Sequence, residues 1–335
     1  MTCIARVKFI LRRTGWLIGG LVALVGCEKI PDATGPSETG PGPQGRIAFV
    51  GGGPFENFVI FLMRPDGSGL VSLIDVEDRA DYTGPSWSPN GEQIVFASNR
   101  QDKNYDIYVM NRNGSGIRRV VDHPGGDFSP AWSPDGQRIA FQSERNIENG
   151  QDIYVIGLDG SGERNLTARP GNDELPSWSP DGQKIAFVRD QKEVYVMNAD
   201  GSNPVFLARG TEPRHVSSQP AWSPDGRKIA FVSNMHQAIA GTPGSRSLWG
   251  EFEVYAMNAD GSEIQRLSRE ANFTRAMQFP SWSPDGKWIV AERVQIDPDV
   301  PFSQMYRVVV MAADGSGVRE VRTGRGARFP RWAPQ

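Results

Sequence analysis

The chain has 335 residues, with 36 Lys and Arg against 39 Asp and Glu, and a formal charge of -3. Both signs are interspersed with no basic run or basic helix, which argues against a polyanion-binding protein and so against a nucleic-acid partner. The length admits one large domain or two ordinary ones.

Arg6, Lys8, Arg12 and Arg13 precede an apolar run from Trp16 to Val25. A basic segment, about ten apolar residues and small residues before a cut read as a secretory signal, too short to span a bilayer as a mature helix. Its end, Leu24-Val25-Gly26-Cys27, resembles the lipobox of bacterial lipoproteins. That resemblance implies cleavage after residue 26 and acylation of Cys27. The alternative is an ordinary signal with an incidental cysteine. Cys3 would leave with the signal, so Cys27 has no partner for an intrachain disulfide. From Glu28 to Gly45 the chain is rich in Pro, Gly, Ser, Thr and acid and is expected to form a disordered tether. Residues 1–26, 27–45 and 46–334 are therefore read as signal, lipidated tether and folded domain. The expected location is the bacterial cell envelope, on the periplasmic side or at the outer membrane, with the lipid as the only membrane contact.

The folded part is organised by one phrase, Pro130-Ala131-Trp132-Ser133-Pro134-Asp135-Gly136-Gln137-Arg138-Ile139-Ala140-Phe141, which recurs from Pro85, Pro176, Pro220 and Pro280 and returns in part as Pro330-Arg331-Trp332-Ala333-Pro334. Its tryptophans stand at 87, 132, 178, 222, 282 and 332. Steps of this size belong to a propeller or solenoid. In the unit from Phe128 to Ala168, a short strand runs through Ala131-Trp132. Asp135-Gly136 turns the chain into Arg138–Ser143, then come Asp152–Ile156, the turn Asp159 to Gly162, and Arg164–Thr167. Ile139-Ala140-Phe141 and Ile153 to Ile156 are apolar at consecutive positions, so both faces of each four-stranded sheet must be covered. Stacking the sheets as blades of a ring covers them.

The second hairpin turn occurs six times, at Asp66, Asn113, Asp159, Asp200, Asp260 and Asp314, each followed by Gly. The first unit starts at Arg46-Ile47-Ala48-Phe49 without a tryptophan strand, and the end of the chain holds a spare one. An all-β, six-bladed β-propeller of four-stranded antiparallel blades follows, closed by pairing of the C-terminal strand with the N-terminal blade.

The pattern Trp-Ser-Pro-Asp-Gly, Ile-Ala-Phe, then Tyr195 to Ser202 (Tyr-Val-Met-Asn-Ala-Asp-Gly-Ser) resembles the WD-type repeats of the TolB-like propellers. The resemblance covers about 290 residues and implies fold more than function, because such repeats also occur in propellers fused to peptidases and in polysaccharide-active enzymes. TolB-like proteins carry an α/β domain ahead of the propeller, whereas here a lipid tether is expected in its place.

Function is expected on the rim formed by the longer connections, since the rim of Asp-Gly turns repeats almost unchanged. Two of its loops are enlarged, Asn234 to Glu251 and Gln295 to Gln304, and carry Trp249 and Phe302. Ahead of the inner strands stand Asp81, Asp127 and Asp173, with Glu174 beside the last, while the other units hold Arg214, His215, Arg275 and Arg328. One half of the channel mouth would then be acidic and the other basic, a field that orients a charged partner. Alternatively these carboxylates accept backbone hydrogen bonds in turns. Arg100, Arg145, Arg189 and Arg293 recur after the second strand and are expected to form salt bridges within their blades, where Asp106, Asp152, Glu193 and, in the fifth blade, Glu253 open the next strand.

The three histidines, His123, His215 and His236, lack metal-ligand spacing, and no Gly-x-Ser-x-Gly elbow or phosphate-loop ending occurs. No catalytic residue, metal or cofactor is expected. The reading is a non-enzymatic, monomeric envelope propeller that binds a protein or peptide at its mouth. A carbohydrate-binding or carbohydrate-active surface lipoprotein, with Trp249 and Phe302 as a sugar platform, is the alternative.

Overall fold

The computed structural model describes residues 42–52, 57–75, 80–101, 104–145, 150–208, 216–235, 252–269, 275–296, 304–324 and 326–334. The chain divides into two units, Met1–Gly42 and Pro43–Gln335. Only the second is described beyond a single residue.

Among the described residues this unit contains strands and no helix. It opens with β1 (Ile47–Gly52), β2 (Val59–Met63) and β3 (Val71–Ser72). The second blade is β4 (Tyr82–Trp87), β5 (Gln93–Ser98), β6 (Asp106–Asn111) and β7 (Arg118–Arg119); the third is β8 (Asp127–Trp132), β9 (Arg138–Ser143), β10 (Asp152–Gly157) and β11 (Arg164–Asn165). The fourth follows as β12 (Asp173–Trp178), β13 (Lys184–Arg189), β14 (Glu193–Asn198) and β15 (Val205–Ala208), and the fifth as β16 (Ser217–Trp222), β17 (Lys228–Ser233), β18 (Glu253–Asn258) and β19 (Gln265–Arg266). The sixth is β20 (Arg275–Trp282), β21 (Trp288–Ile296), β22 (Gln304–Ala312) and β23 (Arg319–Val321), after which β24 (Gly326–Trp332) pairs with β1 in the order β24-β1-β2-β3. The other five sheets are antiparallel four-strand meanders in chain order.

Closure is direct. Ile47 lies opposite Trp332 and Ala48 opposite Arg331, and Trp332 Nε1 donates to Gln44 O at 2.9 Å. Each inner strand packs on the next around the ring, and β24 packs on β4. The second and third strands are buried at consecutive positions, as in β9 and β10, because each blade face lies against another blade. Phe49, Phe96, Phe141, Phe187 and Phe231 occupy equivalent, fully buried sites.

The Trp-Ser-Pro-Asp-Gly turns are self-contained. Ser133 Oγ receives Arg138 N at 2.9 Å, and Asp135 Oδ1 receives Gln137 N at 2.9 Å; Ser179 with Asp181 and Ser223 with Asp225 repeat the arrangement. In the second hairpin the glycine has two reasons to be glycine. Gly315 has φ +88°, and a Cβ there would lie 2.1 Å from Leu267 O of the preceding blade. The turn thus docks one blade onto its neighbour.

The inner strands are longer than the sequence suggested. β8 reaches back to Asp127 instead of starting at Ala131, and a register shift interrupts it between Phe128 and Ala131. Every inner strand has this bulge, and the residue before its proline is left-handed: Gly84, Ser129, Leu175, Gln219, Phe279 and Phe329, with φ between 50° and 57°. A proline beside a left-handed residue reads as a break in sequence, yet here it is a bulge within a strand. In the sixth blade, Gln295, Ile296 and Gln304 belong to an extended hairpin and not to a loop.

Burying a tryptophan such as Trp332 contributes about 3 to 5 kcal/mol, a large part of the roughly 5 to 15 kcal/mol that holds a domain folded. Deleting residues 326–335 should therefore abolish the cooperative thermal transition followed by near-ultraviolet circular dichroism, and a synthetic 326–335 peptide should restore it. A truncated protein that melts like the parent would contradict closure by β24.

Candidate functional site

The channel is lined by the inner strands, and its geometry follows from counting back from each tryptophan. At five residues before it stand Tyr82, Asp127, Asp173, Ser217, Met277 and Ala327, all buried in the blades. At four residues before it stand Thr83, Phe128, Glu174, Ser218, Gln278 and Arg328, all half-buried. The bulge causes this change of face. Towards the turn rim the wall is a ring of tryptophans and prolines around a cavity of about 590 Å³.

This register separates the acidic residues that the sequence grouped together. Asp127 and Asp173 are first residues of strands, essentially without solvent exposure, and point into the sheet. Arg189 holds Asp173 in a bidentate pair, Nε to Oδ1 at 2.9 Å and Nη2 to Oδ2 at 3.0 Å, and Arg169 adds a third contact at 3.1 Å. Arg145 reaches Asp127 Oδ2 at 3.3 Å and also pairs with Glu163. Burial pushes the Asp127 carboxyl above its ordinary range, with Ser143 and Arg145 opposing. Asp81 falls one residue short of this position. Its Oδ1 accepts Phe58 N at 3.2 Å and its own N donates to Asn99 Oδ1 at 2.8 Å.

The arginine pairs stay within blades, but with other partners than expected. Arg145 and Arg189 take the inner-strand aspartates, and Arg293 takes Glu320. Asp106 pairs with Arg119, Glu253 with Arg266, and Asp152 accepts from Asn165. Arg189 lies 4.5 Å over the Tyr195 ring and Arg145 4.8 Å over that of Tyr154, so both are fixed by packing as well as charge.

Two of the expected mouth residues, Glu174 and Arg328, stand at the half-buried position four before the tryptophan. Glu174, raised by burial above its ordinary carboxyl range, is held by Gln191 at 3.2 Å. Arg328 stacks over Tyr306 at 4.4 Å and Phe329 at 4.8 Å. They sit in the fourth and first blades, three steps apart in a ring of six, and therefore on opposite sides of the mouth. Arg275 lies further back, seven residues before Trp282, at the far end of β20. Cys27, Arg214, His215, Trp249 and Phe302 lie outside the described residues. His123 Nδ1 accepts Gly125 N at 3.0 Å. Among the described residues no three His, Cys, Asp or Glu side chains gather as a metal site would require.

Two residues that the sequence reading passed over stand out. Arg331 takes the place immediately before the tryptophan, where the other blades have Ser86, Ala131, Ser177, Ala221 and Ser281. Glu292 interrupts the apolar run of β21 and is fully buried. Its Oε2 accepts Phe329 N at 2.9 Å, just as Gln142 Oε1 accepts Leu175 N at 3.1 Å three blades away. Burial raises Glu292 to about 7 against the opposing effects of Arg328 and Arg331, and burial lowers Arg331 to about 10. Both signals were in the sequence: an Arg where five copies have Ser or Ala, and a carboxylate in an apolar run.

Comparison with known proteins places this architecture. A family model described as the TolB beta propeller domain matches residues 76–149. The Tol-Pal system protein TolB of Syntrophus aciditrophicus (strain SB) is 34% identical over 84 residues, 21% of this chain and 18% of that protein's length. The match thus spans under a fifth of that relative. TolB from Acinetobacter baumannii superposes with TM-score 0.67 at 22% identity, over 87% of this chain and 67% of that one. Hydrazine synthase from Kuenenia stuttgartiensis gives 0.64 at 16% identity, over 86% and 46%. The chain carries a TolB-like six-bladed propeller, a fold that an enzyme also contains.

Because Glu292 is raised in the folded state, its contribution to stability is fully present below about pH 4.5 and is lost as pH rises through about 7. The loss is on the order of 3 kcal/mol. Glu292→Gln, which keeps the acceptor for Phe329 N as Gln142 does for Leu175 N, should gain in melting temperature over the parent at pH 8 and much less at pH 4. An equal difference at both pH values would show that Glu292 is not the titrating group.

Proposed function

We propose that this chain is a lipid-anchored, non-enzymatic propeller of the bacterial cell envelope that docks a protein or peptide at the loop-rim mouth of its channel. The observation that carries the reading is that Glu174 and Arg328 stand on the inner strands of the fourth and first blades, on opposite sides of the ring, at the half-buried position four before the tryptophan. Opposite charges across an opening orient an incoming dipolar partner and speed its capture more than they add affinity. Asp127 and Asp173 contribute by holding the inner strands in place, and Asp81 and Arg275 flank the mouth. The likeness to a Tol-Pal system protein supports a protein partner in the envelope.

Gln44 O accepts from Trp332 Nε1 at 2.9 Å, so the first residues of the propeller lie at its turn rim. A lipid on Cys27 would hold the domain near a membrane through the Pro- and Gly-rich stretch from Glu28 to Gly45.

Cys27→Ser should move the protein from the membrane fraction to the soluble fraction of cells. A parent protein that is already soluble and carries no acyl group would end the lipoprotein reading. Glu174→Lys should reduce capture of the partner in crosslinking pull-downs from envelope extracts several-fold at low salt, with the difference shrinking above about 0.5 M salt as charges are screened. Asp173→Lys is unsuitable for this purpose, because breaking a buried pair costs about 3 to 5 kcal/mol and tests folding. An unchanged yield with Glu174→Lys moves the docking site away from the mouth.

A further inference from the structure

The turn-rim half of the channel differs chemically from the loop-rim mouth. Its wall is made of tryptophan edges, prolines and small residues, and Arg331 is the charged side chain among the residues lining it. The volume of about 590 Å³ falls within the range of small-ligand sites. Around the ring, the level that Arg331 occupies holds only Ser or Ala in the other five blades. The sixfold pattern needs no arginine here for packing.

Arg331 is also poorly satisfied. Nη1 donates to Pro330 O at 3.1 Å, and no other hydrogen bond from its guanidinium is formed among the described residues. The nearby carboxylate, Glu292, forms no hydrogen bond to it: Oε2 accepts Phe329 N at 2.9 Å, and Oε1 lies 3.8 Å from Arg328 Nε. A guanidinium at the channel wall with donors to spare offers the planar fork that carboxylates occupy with two parallel hydrogen bonds. The surroundings restrict what can bring that carboxylate in. Tryptophan and proline surfaces favour an apolar residue beside it. The left-handed residue in each inner strand marks this wall as held in an uncommon backbone state, and such states concentrate at functional sites.

We propose that Arg331 makes the turn-rim half of the channel a carboxylate-binding site, which receives a peptide through a free carboxylate flanked by an apolar residue. This site lies at the opposite end of the channel from the Glu174 and Arg328 mouth and does not depend on docking there.

The site can be tested on the intact propeller by tryptophan fluorescence, because six tryptophans ring the cavity. The probes are N-acetyl-prolyl-phenylalanine as the free acid, the same dipeptide as its amide, and inorganic phosphate. The free acid should give a saturable change, with the amide at least tenfold weaker. Arg331→Ala should remove this discrimination while keeping the parent's melting temperature within a few degrees, since Ala131 and Ala221 already fill the equivalent place. Arg331→Lys should keep part of it. Equal responses to acid and amide, unchanged binding by Arg331→Ala, or no saturable response to the acid would each overturn the proposal. Phosphate binding more tightly than the acid would also overturn it and assign a phosphate site. If envelope capture persists in Arg331→Ala while the dipeptide fails to bind the parent, docking at the loop rim stands and this inference falls.

Discussion

The ladder between β1 and β24 is the constraint on which the rest of the molecule depends. The second and third strands of each blade are apolar on both faces, so a sheet in isolation would expose what it must bury. Only a neighbour on each side satisfies it, and in a linear array the two end blades would lack one. Pairing Ile47 with Trp332 gives the first blade its inner strand and brings the last blade against it. The entropic cost of joining distant segments grows slowly, about 0.6 kcal/mol for each doubling of length, so a ring of this size closes at modest expense against the burial it completes. The glycines of the second hairpins work in the same direction, since close approach of each turn to the preceding blade's carbonyl sets the blade spacing.

The channel inherits its character from the bulge in the inner strands. A regular strand would alternate strictly, sending every second side chain to the channel. The left-handed residue before the proline breaks that alternation, so that positions three and one before the tryptophan line the channel and position four is half-buried, while positions five and two are buried. The strained amides are not left to themselves. Leu175, Phe279 and Phe329 donate to Gln142, Gln219 and Glu292, and each of these bonds crosses from one blade to the next. Interblade hydrogen bonding and channel shape are therefore one device.

The same device divides the charged residues by role. At the buried position five before the tryptophan, Asp127 and Asp173 are tied to arginines that stack on the aromatic rings of their own blades, and the pairs clamp inner strand to second strand. At the half-buried position one residue later, Glu174 accepts from Gln191 and Arg328 stacks on Tyr306 and Phe329. Arg331, nearer the turn rim, has neither a paired carboxylate of its own nor a packing role that its counterparts share.

Much of the architecture was legible in the amino-acid order. Six copies of a tryptophan phrase, six Asp-Gly or Asn-Gly turns, a first unit without its tryptophan strand and a spare strand at the end determine a closed six-bladed ring, because hydrophobic strands buried on both faces have few other ways to be covered. What only the tertiary structure decided is which side of an inner strand each residue occupies. Asp81, Asp127, Asp173 and Glu174 look alike in sequence. Two of them are buried in the sheet, one stands just before its strand and one is half-buried a position further on. The side chain alternation of a strand has a period of two, so one inserted left-handed residue reverses every assignment beyond it, and that residue is a different amino acid in almost every blade.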